Sequence, residues 1–126
     1  YSKAIELESN NPMYYANRGI AYSNLKEYRR AIQDFDKAID IKPDDYDAYT
    51  GRGDCYYSLN QYRRAIQDYD KSIELEAKNH RAFYNRGNAK AALGQRNAAI
   101  RDYREAHRLD DPDAADRLRE LGVTPD

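Results

Sequence analysis

The chain has 126 residues, and its 21 Lys and Arg nearly balance its 22 Asp and Glu, which gives a net charge of −1. This balance, without a basic stripe, argues against nucleic-acid binding, and the sequence contains no run of about 18 apolar residues that would predict membrane insertion. Cys55 is the one cysteine, so an internal disulfide and a paired-cysteine metal site are excluded.

The sequence repeats itself with a period of 34 residues. EYRRAIQDFDKAID at residues 27–40 returns as QYRRAIQDYDKSIE at residues 61–74. The same period relates three copies of several positions: Gly19, Gly53 and Gly87; Ala31, Ala65 and Ala99; Leu25, Leu59 and Leu93; Tyr15, Tyr49 and Phe83; Phe35, Tyr69 and Tyr103. A fixed period without insertions predicts stacked copies of one unit, because a single unit cannot bury its apolar face alone.

The first segment, YSKAIELESNN at residues 1–11, aligns with the end of the repeated unit, since Tyr1 corresponds to Phe35 and Ile5 to Ile39. We therefore expect it to be the second helix of a truncated preceding repeat, as in a fragment of a longer array. A localisation signal would then lie in upstream sequence, so localisation stays unassigned, although a free cysteine favours the cytoplasm.

Each copy predicts two helices. The first helix of the first copy has an apolar stripe at helical spacing, formed by Tyr15, Gly19, Tyr22 and Leu25. The stripe of the second helix comprises Tyr28, Ala31, Ile32, Phe35, Ala38 and Ile39. We expect the two backbones to approach closely where Gly19 of one helix meets Ala31 of the other.

Capping and turn residues mark the ends of these helices. Asn11, Asp45 and Asn79 each precede a first helix, as N-cap residues do. Pro43 closes the second helix of the first copy, and Gly94 predicts a turn between helices.

The last segment predicts a capping helix. Asp111 is the expected N-cap, Pro112 the first helical residue and Gly122 the C-cap. Leu118 and Leu121 form a narrow apolar edge that would face the last repeat. The predicted division is 1–11 for the truncated repeat, 12–45, 46–79 and 80–113 for three full repeats, and 114–126 for the capping helix and tail.

The sequence contains few candidates for chemistry. His80 opens a predicted helix and is expected to be exposed, His107 to pack at the cap junction, and Cys55 to be a small buried side chain. Neither a glycine-rich phosphate loop nor a metal-ligand cluster occurs in the sequence. We therefore predict no catalytic, metal or cofactor site and no enzyme activity.

One charge pattern recurs in each copy. An arginine directly precedes each repeated glycine, and an aspartate follows it 16 residues later; the pairs are Arg18 with Asp34, Arg52 with Asp68, and Arg86 with Asp102. Both positions are about equally far from the turn, so we predict three ion pairs on a partly buried seam. The basic YRRA motifs at residues 28–31 and 62–65 each lie beside aspartates, which predicts a solvated face rather than a nucleic-acid site.

These features together resemble the tetratricopeptide repeat (TPR), in a bacterial-type array, over nearly the whole chain. The resemblance rests on aromatic–x3–Gly–x2–Tyr in YANRGIAY and YTGRGDCY, and on Ala31, Ala65 and Ala99, Phe35, Tyr69 and Tyr103, Ala38, Ser72 and Ala106, and Pro43. The third copy departs from it, with Lys90 in place of tyrosine and Asp111 in place of proline. The resemblance implies an all-α, right-handed α-solenoid of helix-turn-helix repeats with a C-terminal capping helix.

The resemblance also implies a concave groove, lined by the first helices, that grips a peptide or helix. The groove residues would be those of the first helices outside the packing stripe: Met13, Asn17, Ile20, Asn24, Asp47, Gly51, Asp54, Tyr57, Arg81, Tyr84, Asn85 and Asn88. Aspartates make its middle acidic, whereas Arg81 makes the third copy locally basic. A TPR subgroup holds carboxylate ends of chaperone tails with a Lys/Asn/Arg clamp, but those places hold Ala16, Ile20 and Gly51 here, and Arg81 alone matches.

The sequence thus predicts a non-catalytic scaffold that binds a peptide or helix of a protein partner. The alternatives are a self-association module, in which exposed repeat ends stack on each other, and a regulatory or tethering domain of a larger protein. The sequence does not identify the partner.

Overall fold

A computed structural model describes residues 10–126 of the chain. This part contains seven α-helices and no β-strand. The helices are α1 (Pro12–Asn24), α2 (Tyr28–Ile41), α3 (Tyr46–Ser58), α4 (Tyr62–Leu75), α5 (His80–Ala92), α6 (Arg96–Arg108) and α7 (Ala114–Glu120). The prediction for the N-terminal segment lies outside the described residues, apart from its last two.

The helices pack as three antiparallel pairs, α1 with α2, α3 with α4, and α5 with α6, followed by α7 against α6. Each second helix also packs on the first helix of the next pair, and neighbouring first helices approach one another along the array. The first helices α1, α3 and α5 therefore lie side by side in an all-α solenoid, which confirms the predicted fold class.

The predicted helix starts are confirmed by side-chain capping. Asn11 accepts hydrogen bonds from the backbone N–H groups of Met13 and Tyr14. Asp45 and Asn79 each accept one from the third residue after them, at 3.3 Å. These bonds satisfy backbone donors that a helix leaves unpaired at its first turn.

The turns inside the three pairs share one conformation. Lys26, Asn60 and Gly94 occupy equivalent positions and have φ values of 62°, 63° and 79°. Glycine adopts this left-handed conformation without strain, and asparagine tolerates it better than most other residues. Gly94 was predicted to mark this turn, and the structure confirms it; the period extends the same turn to Lys26 and Asn60.

The repeated glycines make room for aromatic rings. A Cβ atom on Gly53 would lie 2.8 Å from a ring atom of Tyr69, and one on Gly87 would lie 2.8 Å from Tyr103. Gly19 faces the ring of Phe35 in the same way. The ring of the second helix therefore fills the space that the missing side chain leaves, whereas the expected approach of the Gly19 and Ala31 backbones stays a prediction.

Leu25 was predicted to belong to the buried stripe, but 67% of it is exposed. The equivalent leucines, Leu59 and Leu93, are partly buried beside the turn residues of the preceding pair, at 26–30 and 60–64 respectively. Leu25 has no such preceding turn among the described residues, because α1 is the first helix in them.

The C-terminal helix starts later than predicted. It begins at Ala114, so Asp111 is not its N-cap and Pro112 is not its first residue. Asp111 is buried instead, where one carboxylate oxygen accepts the N–H of Asp113. The apolar edge is confirmed, since Leu118 is fully buried against α6.

Candidate functional site

The predicted arginine–aspartate pairs are present in all three helix pairs. Arg52 binds Asp68 through two parallel hydrogen bonds, Nε to Oδ2 at 3.0 Å and Nη2 to Oδ1 at 2.8 Å. The pairs Arg18–Asp34 and Arg86–Asp102 have the same two-pronged geometry, with distances of 2.7–2.9 Å. Guanidinium binds carboxylate most strongly in this fork-to-fork arrangement.

Sequence reasoning missed a second role of these arginines. Arg52 Nη1 also donates to Asp36 of the preceding pair at 2.8 Å, and Arg86 does the same to Asp70. Each of these two arginines therefore fastens consecutive helix pairs together. The signal was available, because Asp36 and Asp70 precede their arginines by 16 residues, the spacing that separates the predicted pairs.

The departure at Lys90 has a structural explanation. In the first two pairs a tyrosine packs under an arginine, Arg30 over Tyr22 at 5.7 Å and Arg64 over Tyr56 at 5.6 Å. The third pair lacks both partners, and Lys90 Nζ instead lies 3.0 Å from Asp102 Oδ2. The arginines of both YRRA motifs are exposed, as predicted for a solvated face.

The predicted groove residues fall into three environments. Those on α1 are exposed, namely Met13, Asn17, Ile20 and Asn24. On α3, Asp47 is exposed whereas Asp54 and Tyr57 are partly buried; on α5, Arg81, Tyr84, Asn85 and Asn88 are all partly buried. Gly51 lies against the ring of Phe35, 2.6 Å from where its Cβ would stand. Burial thus increases along the groove from α1 to α5.

A pocket of about 360 Å³ opens between α3 and α5. It is lined by Asp54, Tyr57, Ser58, Tyr69, Arg81, Asn85 and Asn88. Five of these seven are groove residues predicted from the sequence, which the structure therefore brings together. From the sequence, Tyr69 was predicted only to pack within the repeats, and Ser58 was given no role.

Asp54 is the one carboxylate among the residues that line this pocket. Its Oδ1 accepts two hydrogen bonds, from the hydroxyl of Tyr69 at 2.5 Å and from Asn85 Nδ2 at 2.8 Å. Its Oδ2 makes no hydrogen bond with any of the described residues. Burial raises the pKa of Asp54 to about 6, against the opposing effects of the two hydrogen bonds and of the Arg81 charge.

The contact between Tyr69 and Asp54 has different counterparts in the other two helix pairs. Tyr103 donates its hydroxyl to Asn88 Oδ1 at 2.6 Å, as Tyr69 does to Asp54. Phe35 has no hydroxyl, and the equivalent residue on its own first helix is the apolar Ile20. The ring residue and the residue 15 positions before it therefore vary together: both are apolar in the first pair, and both carry polar groups in the second and third pairs.

The basic end of the groove is already paired within the chain. Arg81 Nη2 lies 3.1 Å from Asp113 and 3.7 Å from Asp111, and its guanidinium stacks 5.0 Å from the centre of the Tyr84 ring. His80 Nδ1 lies 2.7 Å from Asp111, so this histidine is only partly exposed, contrary to prediction. The segment before α7 thus neutralises the charge that was predicted to make this end of the groove basic.

A second polar cluster holds the same two helix pairs together. Asn79 Nδ2 donates to the hydroxyls of Thr50 and Ser72, at 3.2 and 2.9 Å. Those hydroxyls are 2.6 Å apart, and both lie 3.0 Å from the carbonyl of Tyr46. All these groups are satisfied by one another, so the cluster positions α5 on α3 and offers nothing to a ligand.

The remaining candidates for chemistry lie in structural settings. Cys55 is fully buried, as predicted, and burial raises the pKa of its thiol to about 11. His107 is partly exposed, with Nε2 3.9 Å from Asp126. Within residues 10–126, no group of His, Cys, Asp and Glu could hold a metal ion, and no helix is long and apolar enough to cross a membrane.

Family models match most of the chain. Models described as tetratricopeptide repeat match residues 12–45, 35–67 and 80–113, and one described as TPR repeat matches residues 53–94. The matches together extend over residues 12–113, which include α1 to α6.

Several solved structures have a similar fold. The first TPR of Spaghetti (RPAP3) bound to the HSP90 peptide SRMEEVD has a TM-score of 0.85 and 25% identity, covering 90% of this chain and 92% of that one. The NMR structure of the first TPR domain of human RPAP3 has a TM-score of 0.86 and 24% identity, covering 90% and 91%. MamA protein has a TM-score of 0.80 and 26% identity, covering 90% of this chain and 62% of that one.

Proposed function

Because the chain belongs to the tetratricopeptide repeat family, we propose that it is a non-catalytic interaction module whose inner face binds a peptide or helix of a protein partner. The pocket between α3 and α5 carries this proposal. Six of its seven lining residues come from two neighbouring first helices, and Asp54 Oδ2 accepts no hydrogen bond from the described residues. We also propose the repeat division 12–45, 46–79 and 80–113, followed by a capping segment.

The groove residues differ in what they offer to a ligand. Asn17 and Asn24 are exposed, and their amides both donate and accept, which suits a peptide backbone. Tyr57 offers an aromatic surface at the pocket wall, and its ring is held by an edge contact with Tyr62 at 5.3 Å. Aromatic side chains in partly buried positions are the usual anchors of protein interfaces.

We propose that the ligand differs from SRMEEVD, the peptide bound by the first TPR of Spaghetti. That peptide contains two glutamates and ends in aspartate, whereas Asp47 and Asp54 lie on α3 of this chain. The clamp positions hold Ala16, Ile20 and Gly51, and the guanidinium that matches the clamp is already paired with acids before α7.

Panning of the whole chain against a displayed library of random peptides tests this function. Tyr57→Ala should weaken a selected peptide about tenfold or more, as loss of a central anchor does. Lys37→Ala is the matched control, since Lys37 is exposed on α2, outside the inner face. Each variant must keep its helical circular dichroism. Equal weakening by both changes would place the ligand elsewhere, and failure to select any peptide would reject the function.

Self-association is the second candidate, because α1 presents exposed apolar side chains. Met13 is 68% and Ile20 52% exposed, and Leu25 follows at the end of the helix. A mass that rises with concentration and is restored to monomer by Ile20→Ser would support it. A constant monomer mass would reject it.

A further inference from the structure

We infer that the pocket between α3 and α5 binds the ammonium group of a lysine side chain in the partner. The inference rests on the proposed function and names the ligand chemistry of its central pocket. Its basis is the asymmetry of one carboxylate: Asp54 Oδ1 accepts two hydrogen bonds, whereas Oδ2 accepts none from the described residues.

This asymmetry favours lysine over arginine. A guanidinium binds best when both oxygens of a carboxylate accept from its two parallel N–H groups. In Asp54 both lone pairs of Oδ1 are used by Tyr69 and Asn85, so a single oxygen remains. An ammonium is a compact charge that needs no second oxygen on the same carboxylate. The pocket therefore suits a point charge better than a planar fork.

The walls of the pocket suit the rest of a lysine side chain. Tyr57 lines it and is partly buried, so it offers an aromatic surface on which a lysine stem of four methylenes packs well. Ser58 also lines the pocket, and its exposed hydroxyl is a further acceptor for an ammonium N–H.

The arginine in the pocket does not oppose a cation strongly. Arg81 lines the pocket, but its guanidinium lies 3.1 Å from Asp113 and 3.7 Å from Asp111. These carboxylates balance its charge. The groups that face Asp54 are Tyr57 on its own helix, Tyr69 on α4, and Arg81 with Asn85 on α5.

The carboxylate must be ionised to hold an ammonium, so binding should depend on pH. Burial raises the pKa of Asp54 to about 6. At pH 5 about one tenth of these carboxyls would be ionised. Affinity for a lysine should therefore rise about tenfold between pH 5 and pH 7.5.

The direct test is titration of the whole chain with Nα-acetyl-lysine methylamide, followed by NMR at the side-chain amide of Asn85. We expect saturable shifts at pH 7.5, several-fold weaker binding of the arginine analogue, and none from the norleucine analogue, which has the stem without the charge. Equal binding of norleucine, or tighter binding of arginine, would overturn the inference.

A matched pair of variants locates the charge. Asp54→Asn should weaken lysine binding about tenfold or more, because a hydrogen bond to a charged group is lost. Asp44→Asn removes the same charge from an exposed site in the turn before α3, outside the groove residues, and should change affinity less than twofold. Equal effects would show general attraction rather than a site. If Asp54→Asn fails to fold, the pH profile of the unmodified chain decides, and an affinity independent of pH rejects the inference.

The peptide library separates this inference from the proposed function. Selected peptides without lysine enrichment would reject the lysine pocket and leave the interaction function standing. Lysine binding with no selected peptide would reject the function and leave the pocket. Lysine enrichment among peptides selected by the unmodified chain, but not among those selected by the Asp54→Asn variant, supports both.

Discussion

Arg52→Leu should destabilise the chain far more than removal of an exposed arginine. Arg52 makes two hydrogen bonds to Asp68, whose side chain is only 6% exposed, and one to Asp36, which is 50% exposed. Leaving a buried carboxylate without its partner costs about 3–5 kcal/mol, whereas an exposed pair contributes about 0.2–1 kcal/mol. Because Arg52 itself is 22% exposed, we expect a loss of about 3 kcal/mol.

A double-mutant cycle isolates the pair. In Arg52→Leu/Asp68→Leu no charge remains buried, so part of the loss should return, with a coupling energy of about 2 kcal/mol. Urea unfolding followed by circular dichroism measures each free energy of unfolding. Arg63→Leu, an exposed change on α4, serves as the control and should stay within about 0.5 kcal/mol. Additive single changes would refute the pairing.

The same variant makes a pH prediction. Burial raises the pKa of Asp68 even with Arg52 present, and removal of the arginine should raise it further. The folded variant then takes up a proton more readily than the unfolded chain. The loss in free energy of unfolding that Arg52→Leu causes, relative to the unmodified protein, should therefore be larger at pH 7.5 than at pH 5. A deficit that is equal at both pH values would contradict a buried, unpaired carboxylate.

Three further changes test other parts of the structure by thermal or urea unfolding. Gly53→Ala should cost about 1–3 kcal/mol because its Cβ would lie 2.8 Å from Tyr69; unchanged stability would show that the ring moves aside freely. Deletion of residues 112–126 should lower the melting temperature, since it removes Leu118 from its apolar cluster; an unchanged melting temperature would remove the cap assignment. Asp54→Asn should gain stability relative to the unmodified chain as pH rises from 4 to 7.5, because the raised pKa of about 6 makes the folded state lose stability over that range; a difference that is flat with pH would argue against a desolvated carboxylate.

Repetition made the fold predictable. Three copies in fixed register identify the helices, their caps at Asn11, Asp45 and Asn79, and the arginine–aspartate pairs. Residues 16 apart recur because they face each other across one pair, so pattern alone reveals the contact. The 16-residue spacing also marks contacts between consecutive helix pairs, such as the contact of Arg52 with Asp36. These contacts can be predicted only when the packing of one pair on the next is considered.

The groove was less predictable because its properties depend on contacts that do not repeat. Arg81 was predicted to make the third copy locally basic, yet Asp113 binds it, and the residues 34 positions earlier, Asp47 and Asn79, cannot form such an ion pair. The start of α7 was misplaced because residue types were considered without the period: α1, α3 and α5 begin 34 residues apart, and the same step from His80 gives Ala114, where α7 begins. Asp111 has the residue type of an N-cap, but its carboxylate is used by His80, a contact that spacing does not reveal.

The middle of the groove is where the chain departs from what folding requires. Phe35 shows that a ring without a hydroxyl packs against the glycines at this position. Tyr69 carries a hydroxyl and meets Asp54, a carboxylate whose burial raises its pKa and so lowers stability at neutral pH. Groups that reduce stability without serving the fold are expected where a ligand binds. The polar contact between Tyr69 and Asp54 in the second helix pair, rather than the repeated framework, is therefore the part of this solenoid that would determine which partner it binds.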